Sequence, residues 1–204
     1  MTAIRSATLE VSDVAAADAF YADAFDLGAT VDVRASDAPT SGFRGFTISL
    51  VVSQPSGVDS LVGSALDAGA SVLKPVEKSF WGYGGVVQAP DGTIWKVASS
   101  SKKDIGPATR DVEDVVLLLG VDDVKATKRF YVDHGLSVGK SFGSKYVEFD
   151  AAGSDVKLAL YSRRAAAKDA GVSPEGSGSH RIVVGSDGDA FTDPDGFVWE
   201  PARA

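Results

Sequence analysis

The sequence predicts an α+β protein built from tandem related units, each with a strand, a helix and further strands. One phrase occurs twice: the turn Pro90–Gly92 is followed by Trp95, and the turn Pro194–Gly196 is followed by Trp199. Both turns read Pro-Asp-Gly, and in both copies the Trp stands three residues after the Gly. A turn of this composition between two apolar runs is typical of a β-hairpin. The repetition therefore indicates related units, each closed by a hairpin.

A second echo lies upstream of each hairpin. Asp13 is followed seven residues later by a Phe-Tyr pair that begins at Phe20, and Asp123 is followed at the same spacing by a pair that begins at Phe130. Each Asp follows an apolar, strand-like run after one intervening residue. Aspartate is a preferred N-cap residue of α-helices. We therefore expect a helix to begin after each of these two Asp residues.

Periodicity, β-branched residues and glycine stops predict the remaining elements in order. Ser56 or Asp59 is expected to cap the second helix, which ends near Ala68. The glycines that mark helix ends are Gly28, Gly69, Gly135 and Gly171. The helices are expected over residues 14–25, up to 68, 124–134 and, in an Ala-rich stretch, 163–170. The strands are expected at 4–11, 30–34, 43–52, 71–76, 84–88, 93–98, 115–121, 136–141, 145–149, 156–161, 181–185, 190–192 and 197–200.

The same order of elements is most complete in residues 43–98 and 115–161. Shortened copies stand at both ends of the chain, since residues 4–34 and 180–200 have room for fewer elements. A Ser-, Lys- and Gly-containing stretch over residues 99–111 reads as a linker. We therefore predict two halves, residues 1–98 and residues 112–204. Shortened end units leave strand edges uncovered, which favours a homodimer.

Composition limits the function. The 204 residues carry a net charge of −8, which opposes binding to nucleic acid because phosphate neutralisation needs clustered Lys and Arg. The chain has no Cys, so thiolate metal sites and thiol nucleophiles are excluded. No apolar run is long enough for a membrane-spanning helix, and the first residues lack an apolar secretory stretch. We expect a cytoplasmic protein that binds neither nucleic acid nor membrane.

The repeated motifs resemble those of the vicinal oxygen chelate superfamily, which includes glyoxalase I, extradiol dioxygenases and bleomycin-resistance proteins. The resemblance rests on the strand followed by Asp, the Phe-Tyr pair and the two Pro-Asp-Gly…Trp hairpins, which together cover most of the chain. It implies βαβββ units that form cup-shaped, mostly antiparallel sheets. It also implies that a small molecule or a metal ion is held inside a cup.

The resemblance further implies metal ligands at two places in a unit: a His on the first strand, seven residues before the following Asp, and a Glu on the last strand. The matching first-strand positions hold Ser6, Val116 and, counted from the later Asp-rich loop, His180. The last-strand positions hold Lys96 and Glu200. Of these residues only His180 and Glu200 have the expected ligand chemistry.

A metal ion of this kind needs three or four His or carboxylate ligands. The chain has two His residues, and His134 stands at a predicted helix end, where a cation is favourable. Glu148 or solvent could complete a set with His180 and Glu200, but nothing in the sequence requires it. We therefore expect no metal and no other cofactor. The later loop contains Asp187, Asp189, Asp193 and Asp195. It lacks the spacing and the terminal Glu of a calcium-binding EF-hand, so we expect these Asp residues to form turns and cap-like hydrogen bonds.

Other candidate residues have two interpretations each. Lys96 could bind an anionic group of a ligand inside the cup, or it could extend to solvent. The segment that contains Phe80, Trp81 and Tyr83 could line a ligand pocket, or its aromatic rings could complete the core. The Trp residues of the two hairpins alternate with the ligand positions and are expected in the core.

The sequence therefore predicts a glyoxalase-like protein that binds a small molecule in a cup without the usual metal. The predicted ligand-binding residues are Phe80, Trp81, Tyr83, Lys96, His180 and Glu200. Two alternatives stay open: a metal-dependent lyase or dioxygenase that uses His180 and Glu200, and a metal-free acid–base enzyme. In the second case Glu200 is the base and Lys96 or His180 is the acid. Whether the protein is an enzyme at all is left open.

Overall fold

The computed structural model describes residues 2–202 as four units of strands and helices. The first unit contains β1 (Ile4–Val11), α1 (Val14–Ala24) and β2 (Val31–Ala35), and β3 (Thr40–Gly42) follows it. The second contains β4 (Phe46–Val51), α2 (Pro55–Asp67), β5 (Ser71–Ser79), β6 (Gly82–Gln88) and β7 (Ile94–Ser99). The third contains β8 (Asp114–Val121), α3 (Val124–Asp133), β9 (Val138–Ser141), β10 (Tyr146–Phe149) and β11 (Lys157–Ser162). After α4 (Arg163–Ala170) and β12 (Gly176–Gly178), the fourth contains β13 (Ile182–Ser186), β14 (Phe191–Thr192) and β15 (Val198–Pro201).

The two complete units form one eight-stranded sheet, which we call the large sheet. Its strand order is β5-β6-β7-β4-β8-β11-β10-β9. Within each unit the first and last strands are parallel neighbours, β4 with β7 and β8 with β11. The units join through β4 and β8, which pair antiparallel from Phe46 opposite Leu119 to Val51 opposite Asp114. The predicted α+β fold of βαβββ units is confirmed.

The two shortened units form a five-stranded sheet, which we call the small sheet, in the order β14-β15-β13-β1-β2. The first unit has a single further strand, β2, which lies parallel to β1. The fourth unit goes from β13 to β14 without a helix. Each sheet combines strands from both sides of residues 99–111, and the division into halves at that segment stays a prediction.

One continuous core lies on the helix-bearing faces of both sheets. It contains alternate residues of the central strands, such as Leu9 on β1, Ile48 on β4 and Leu117 on β8, all with no exposed area. Helices α1, α2 and α3 pack into the same core. Asp13 and Asp123 cap α1 and α3 as predicted, since their carboxylates accept hydrogen bonds from backbone N–H groups of the first turn.

A second apolar cluster lies on the opposite face of the large sheet, beneath α4. Its members from the helix are Ala166, Ala167 and Ala170, and they pack with sheet residues that include Leu118 and Ala159. The helix begins at the predicted residue, with Ser162 as its N-cap, and ends at Gly171 in the left-handed conformation. α4 therefore fills part of the concave face of the large sheet.

One local prediction is wrong. Neither Ser56 nor Asp59 caps α2; the helix begins at Pro55 after Gln54, which makes no side-chain cap bond. Proline suits this position because its missing N–H has no helical partner there. The side chain of Gln54 is directed to the linker instead, where it binds the backbone of Ile105, Gly106 and Pro107.

The sequence also gave no sign of the short ribbon that β3 forms with β12. This antiparallel pair links the connection before β4 to the connection after α4. Within residues 2–202, no helix is long and apolar enough to cross a membrane.

Candidate functional site

Each sheet has a concave face that opens into a cleft. The cleft of the large sheet, which we call the large cup, has a volume of about 960 Å³. It extends from the β5–β6 hairpin across β7 to the β9–β10 hairpin, and Asp169 of α4 borders it. The cleft of the small sheet, which we call the small cup, has a volume of about 850 Å³ and includes Glu200.

Lys96 lies in the large cup, on the last strand of the second unit. Its Nζ is 2.9 Å from the Oδ2 of Asp169, and the two side chains are 36% and 37% exposed. Lys74 reaches the same end of α4, where its Nζ donates to the carbonyl oxygens of Lys168 at 2.9 Å and Asp169 at 2.6 Å. The ammonium of Lys96 is therefore directed into the cup and held by a carboxylate.

The strand positions next to Lys96 lack metal ligands. Lys96 is opposite Ser49 on β4, and Ser49 is opposite Val116 on β8. Residues that face each other on neighbouring strands lie on the same side of a sheet, so an ammonium, a hydroxyl and an isopropyl group stand side by side. Within residues 2–202, no group of three or more His, Asp or Glu residues is placed to hold a metal ion. The donors present do not fit the metal that the fold implies.

Tyrosines form one wall of the large cup. The rings of Tyr146 and Tyr161 are 5.0 Å apart, and Phe142 lies 6.1 Å from Tyr146 at the rim. Tyr146 donates to Glu148 Oε2 at 2.9 Å, and burial together with this carboxylate raises the pKa of the Tyr146 phenol. Burial, followed by the charge of Asp169, raises the pKa of Tyr161. Neither tyrosine was predicted at the site, although both lie on predicted strands; the pairing of β10 with β11 places them opposite each other on one face.

The three aromatic residues predicted at the site differ in position. Phe80 and Trp81 stand at the tip of the β5–β6 hairpin, 82% and 84% exposed, with their rings edge to face at 5.0 Å. Trp81 borders the large cup. Tyr83 also borders the large cup, but its hydroxyl donates to Asp59 Oδ1 on α2 and its ring packs against the main core, so the side chain is directed to the other side of the sheet.

Gly82 lies between Trp81 and Tyr83 and allows the hairpin to turn back tightly. Its φ is +143°, and a Cβ there would lie 2.0 Å from the carbonyl oxygen of Ser99. An L-residue with a side chain is strained at such a φ and would collide with β7. The aromatic tip is therefore positioned by glycine rather than by side-chain packing.

His180 is held away from open space. Its Nδ1 contacts the carbonyl oxygen of Arg44, its Nε2 lies 3.0 Å from the carbonyl oxygen of Asp195, and its ring stacks on Phe197 at 3.9 Å. The count that placed His180 on a first strand is wrong, because β13 begins at Ile182.

Glu200 lies in the small cup and is part of an ion-pair network. Arg34 on β2 joins two carboxylates, with 2.8 Å to Glu10 and 2.9 Å to Glu200. Arg5 at the same cup pairs with Asp187 at 2.7 Å. The three candidate residues of the sequence analysis are therefore dispersed: Lys96 in the large cup, Glu200 in the small cup and His180 among backbone carbonyls.

The repeated hairpins attach the helices to the sheets. Trp95 and Trp199 are fully buried in the core, as predicted. Tyr21 of α1 donates to Asp91 at 2.8 Å, and its ring lies 5.5 Å from Trp95. In the second copy the tyrosine hydroxyl also accepts a hydrogen bond from the Trp residue of the hairpin.

In that copy Tyr131 of α3 donates to Asp193 at 2.5 Å and accepts from the indole N–H of Trp199 at 3.3 Å. Burial raises the pKa of Asp193. Asp195 accepts from Thr127 at 2.6 Å. Asp193 and Asp195 thus hold the turn and contact α3.

The whole fold is similar to that of known structures. Glyoxalase I from Zea mays superimposes with a TM-score of 0.62 at 12% identity, over 98% of this chain and 91% of that one. A point mutant of the maize enzyme superimposes with a TM-score of 0.62 at 14% sequence identity, and the match covers 97% of this chain and 92% of the mutant's chain. A Bacillus subtilis protein described provisionally as a dioxygenase superimposes with a TM-score of 0.61 at 12% sequence identity. This match covers 97% of this chain and 83% of the Bacillus chain. No model of a protein family matches the sequence, and no curated protein matches it. The likeness confirms the glyoxalase/dioxygenase fold that the motifs predicted.

Proposed function

We propose that this protein binds a planar small molecule in the large cup and holds no metal ion at the strand positions where the fold implies one. The observation that carries the proposal is Lys96. It occupies the last-strand position predicted for a metal-binding carboxylate, faces the cup and is paired with Asp169. An ammonium group at this place repels a divalent cation and attracts an anionic group.

The rest of the cup supports an aromatic or otherwise planar ligand. A volume of about 960 Å³ lies within the range of small-molecule sites. Tyr146 and Tyr161 offer flat surfaces on one side, and Trp81 stands on the opposite hairpin. Aromatic pairs contribute about 0.5–1.5 kcal/mol beyond the burial of their area, so two or three such contacts give specific binding.

The alternatives have less support. A metal-dependent enzyme that uses His180 and Glu200 requires their side chains to converge on one ion. Both ring nitrogens of His180 face backbone carbonyl oxygens, and Glu200 is paired with Arg34 in the other cup. Acid–base catalysis by Glu200 with Lys96 meets the same difficulty, since the two residues line different cups.

The test is binding of the neutral fluorophore N-phenyl-1-naphthylamine, measured by fluorescence titration with and without a chelator. We expect binding that the chelator does not change. Tyr161→Leu should weaken it roughly five- to tenfold, in line with the loss of a stacking contact. Tyr83→Leu is the matched control and should change the affinity less than about twofold, because that ring packs on the opposite face.

Two results would contradict the proposal. One is stoichiometric Zn, Ni, Fe or Mn in the purified protein by elemental analysis, with loss of probe binding on chelation. The other is equal weakening by Tyr161→Leu and Tyr83→Leu, which would place the probe outside the cup.

A homodimer is the expected assembly. The large sheet ends in β5 and β9, and the small sheet ends in β2 and the two-residue strand β14. Edge strands present unpaired backbone groups, which favour pairing with a second copy. Size-exclusion chromatography with light scattering should give twice the chain mass, and a monomer at micromolar concentration would refute the dimer.

A further inference from the structure

Asp169 brings a carboxylate from α4 into the large cup. It lines the cleft together with Lys96, and the 2.9 Å contact between them is about one-third exposed on each side. A solvent-accessible ion pair of this kind contributes little to stability, because solvent screens its charges. A competing anion from solution can therefore replace one partner at small cost.

The helix itself does not explain this carboxylate. α4 ends at Ala170, so Asp169 lies in its last turn, where the helix dipole disfavours a negative charge. The orphan carbonyl groups of this turn are served by Lys74, whose ammonium donates to two of them. The carboxylate of Asp169 is therefore explained by its ion pair with Lys96 on β7, and not by any stabilisation of α4.

The surroundings of Asp169 are those of an anion-binding site. The ammonium of Lys96 contacts its carboxylate, and the ammonium of Lys74 contacts its backbone carbonyl at 2.6 Å. The phenol of Tyr161 is close enough for the charge of Asp169 to contribute to its raised pKa, after burial. One ammonium thus contacts the carboxylate of Asp169 directly, and a second lies at the backbone carbonyl of the same residue.

We propose that Asp169 is an internal substitute for the acidic group of the ligand: the large cup takes a planar molecule with a carboxylate or sulfonate, and this group replaces Asp169 at Lys96. The inference rests on the proposed function and adds the chemical class of the ligand. In the ligand-free cup the lysine is neutralised by Asp169. In the complex the acidic group of the ligand pairs with Lys96, while the ring system lies against Tyr146 and Tyr161.

Two probes with the same ring system test the inference. The sulfonate 8-anilinonaphthalene-1-sulfonate carries an anion, and N-phenyl-1-naphthylamine does not. Asp169→Asn removes the competing carboxylate and should tighten binding of the sulfonate roughly two- to fivefold, the range set by an exposed ion pair. The affinity of the neutral probe should stay within about twofold. Asp133→Asn is the matched control, because Asp133 is an exposed residue in the last turn of α3.

A second substitution tests whether the tighter binding of the sulfonate depends on Lys96. Lys96→Met in the Asp169→Asn background should abolish the tighter binding of the sulfonate and weaken the sulfonate more than the neutral probe. The inference is overturned if Asp169→Asn fails to tighten sulfonate binding while the neutral probe still binds, or if Asp133→Asn gives the same gain. Failure of the neutral probe to bind, or its indifference to Tyr161→Leu, would instead refute the proposed function. Denaturant unfolding of each variant shows that the compared proteins are folded.

Discussion

The large cup and the small cup are built on the same plan, but the units around them differ in completeness. Both units of the large sheet keep the hairpin that carries aromatic residues, with Trp81 on one and Phe142 on the other. The small sheet lacks these hairpins, and its cup is lined by polar residues and by the pairs of Arg34 and Arg5 with acids. A helix packs only into the large cup among the described residues. The proposed binding therefore belongs to the complete units, and the shortened units close the fold.

The largest effect is expected where α4 enters the large cup. Ala166 has no exposed area and packs against the sheet, so Ala166→Asp would bury a carboxylate in an apolar contact. Burying an unpaired polar or charged group without a partner costs about 3 kcal/mol or more. Denaturant unfolding should show this loss. Arg164→Asp, on the exposed side of the same helix, should change stability by less than about 0.5 kcal/mol. Equal losses would mean that α4 does not pack as described.

The two repeated hairpins should respond unequally to loss of their tyrosine hydroxyl. Tyr131→Phe leaves the buried carboxylate of Asp193 and the indole N–H of Trp199 without this partner, and we expect a loss of about 2 kcal/mol. Tyr21→Phe should cost about 1 kcal/mol, because both Asp residues keep other hydrogen bonds but Asp91 is only partly buried, whereas Asp193 is buried. Chemical unfolding at neutral pH measures both. Equal losses of stability, or a larger loss for Tyr21→Phe, would show that these hydrogen bonds do not make the second hairpin the more sensitive one.

Alkaline pH should reduce the difference between wild type and Tyr131→Phe. Burial, and then the charge of Asp193, holds the pKa of Tyr131 well above its ordinary value of about 10. The folded state therefore keeps a proton that the unfolded state loses. The stability from this group is fully present below the unfolded pKa and is lost as pH rises toward the folded pKa. The loss is at most about 1.4 kcal/mol per pH unit. Unfolding at several pH values from 8 to 11 tests this, and parallel curves for the two proteins would contradict it.

Most of the fold was predictable because its signals are local. Asp13 and Asp123 cap helices within three residues of themselves, and Gly171 ends α4 at the predicted place. The hairpins follow from their turn residues. The cap of α2 was predicted wrongly because Pro55 can begin a helix without a side-chain cap, while nearby Ser and Asp residues offered a more familiar signal.

The site was less predictable because its contacts are distant in sequence. The partner of Lys96 is Asp169, which is 73 residues away on a helix whose place in the cup no local pattern indicates. Tyr146 and Tyr161 meet only through the pairing of β10 with β11. His180 was placed by counting back from Asp187, yet Asp187 pairs with Arg5 and begins no helix. Counting residue positions from a repeated motif fails in the fourth unit, because this unit lacks the helix that follows the first strand in the other three units.

The smallest effect is expected in the small cup. Glu200 is 42% exposed, and its pair with Arg34 is partly screened by solvent, so Glu200→Gln should cost less than about 0.5 kcal/mol of stability. Arg34 keeps its second partner, Glu10. The affinity for N-phenyl-1-naphthylamine should not change, since the probe is expected in the other cup. Fluorescence titration of this variant beside Tyr161→Leu distinguishes the two cups directly. A weakening of more than threefold by Glu200→Gln would show that the small cup binds the probe as well, and the functional difference between complete and shortened units would then be lost.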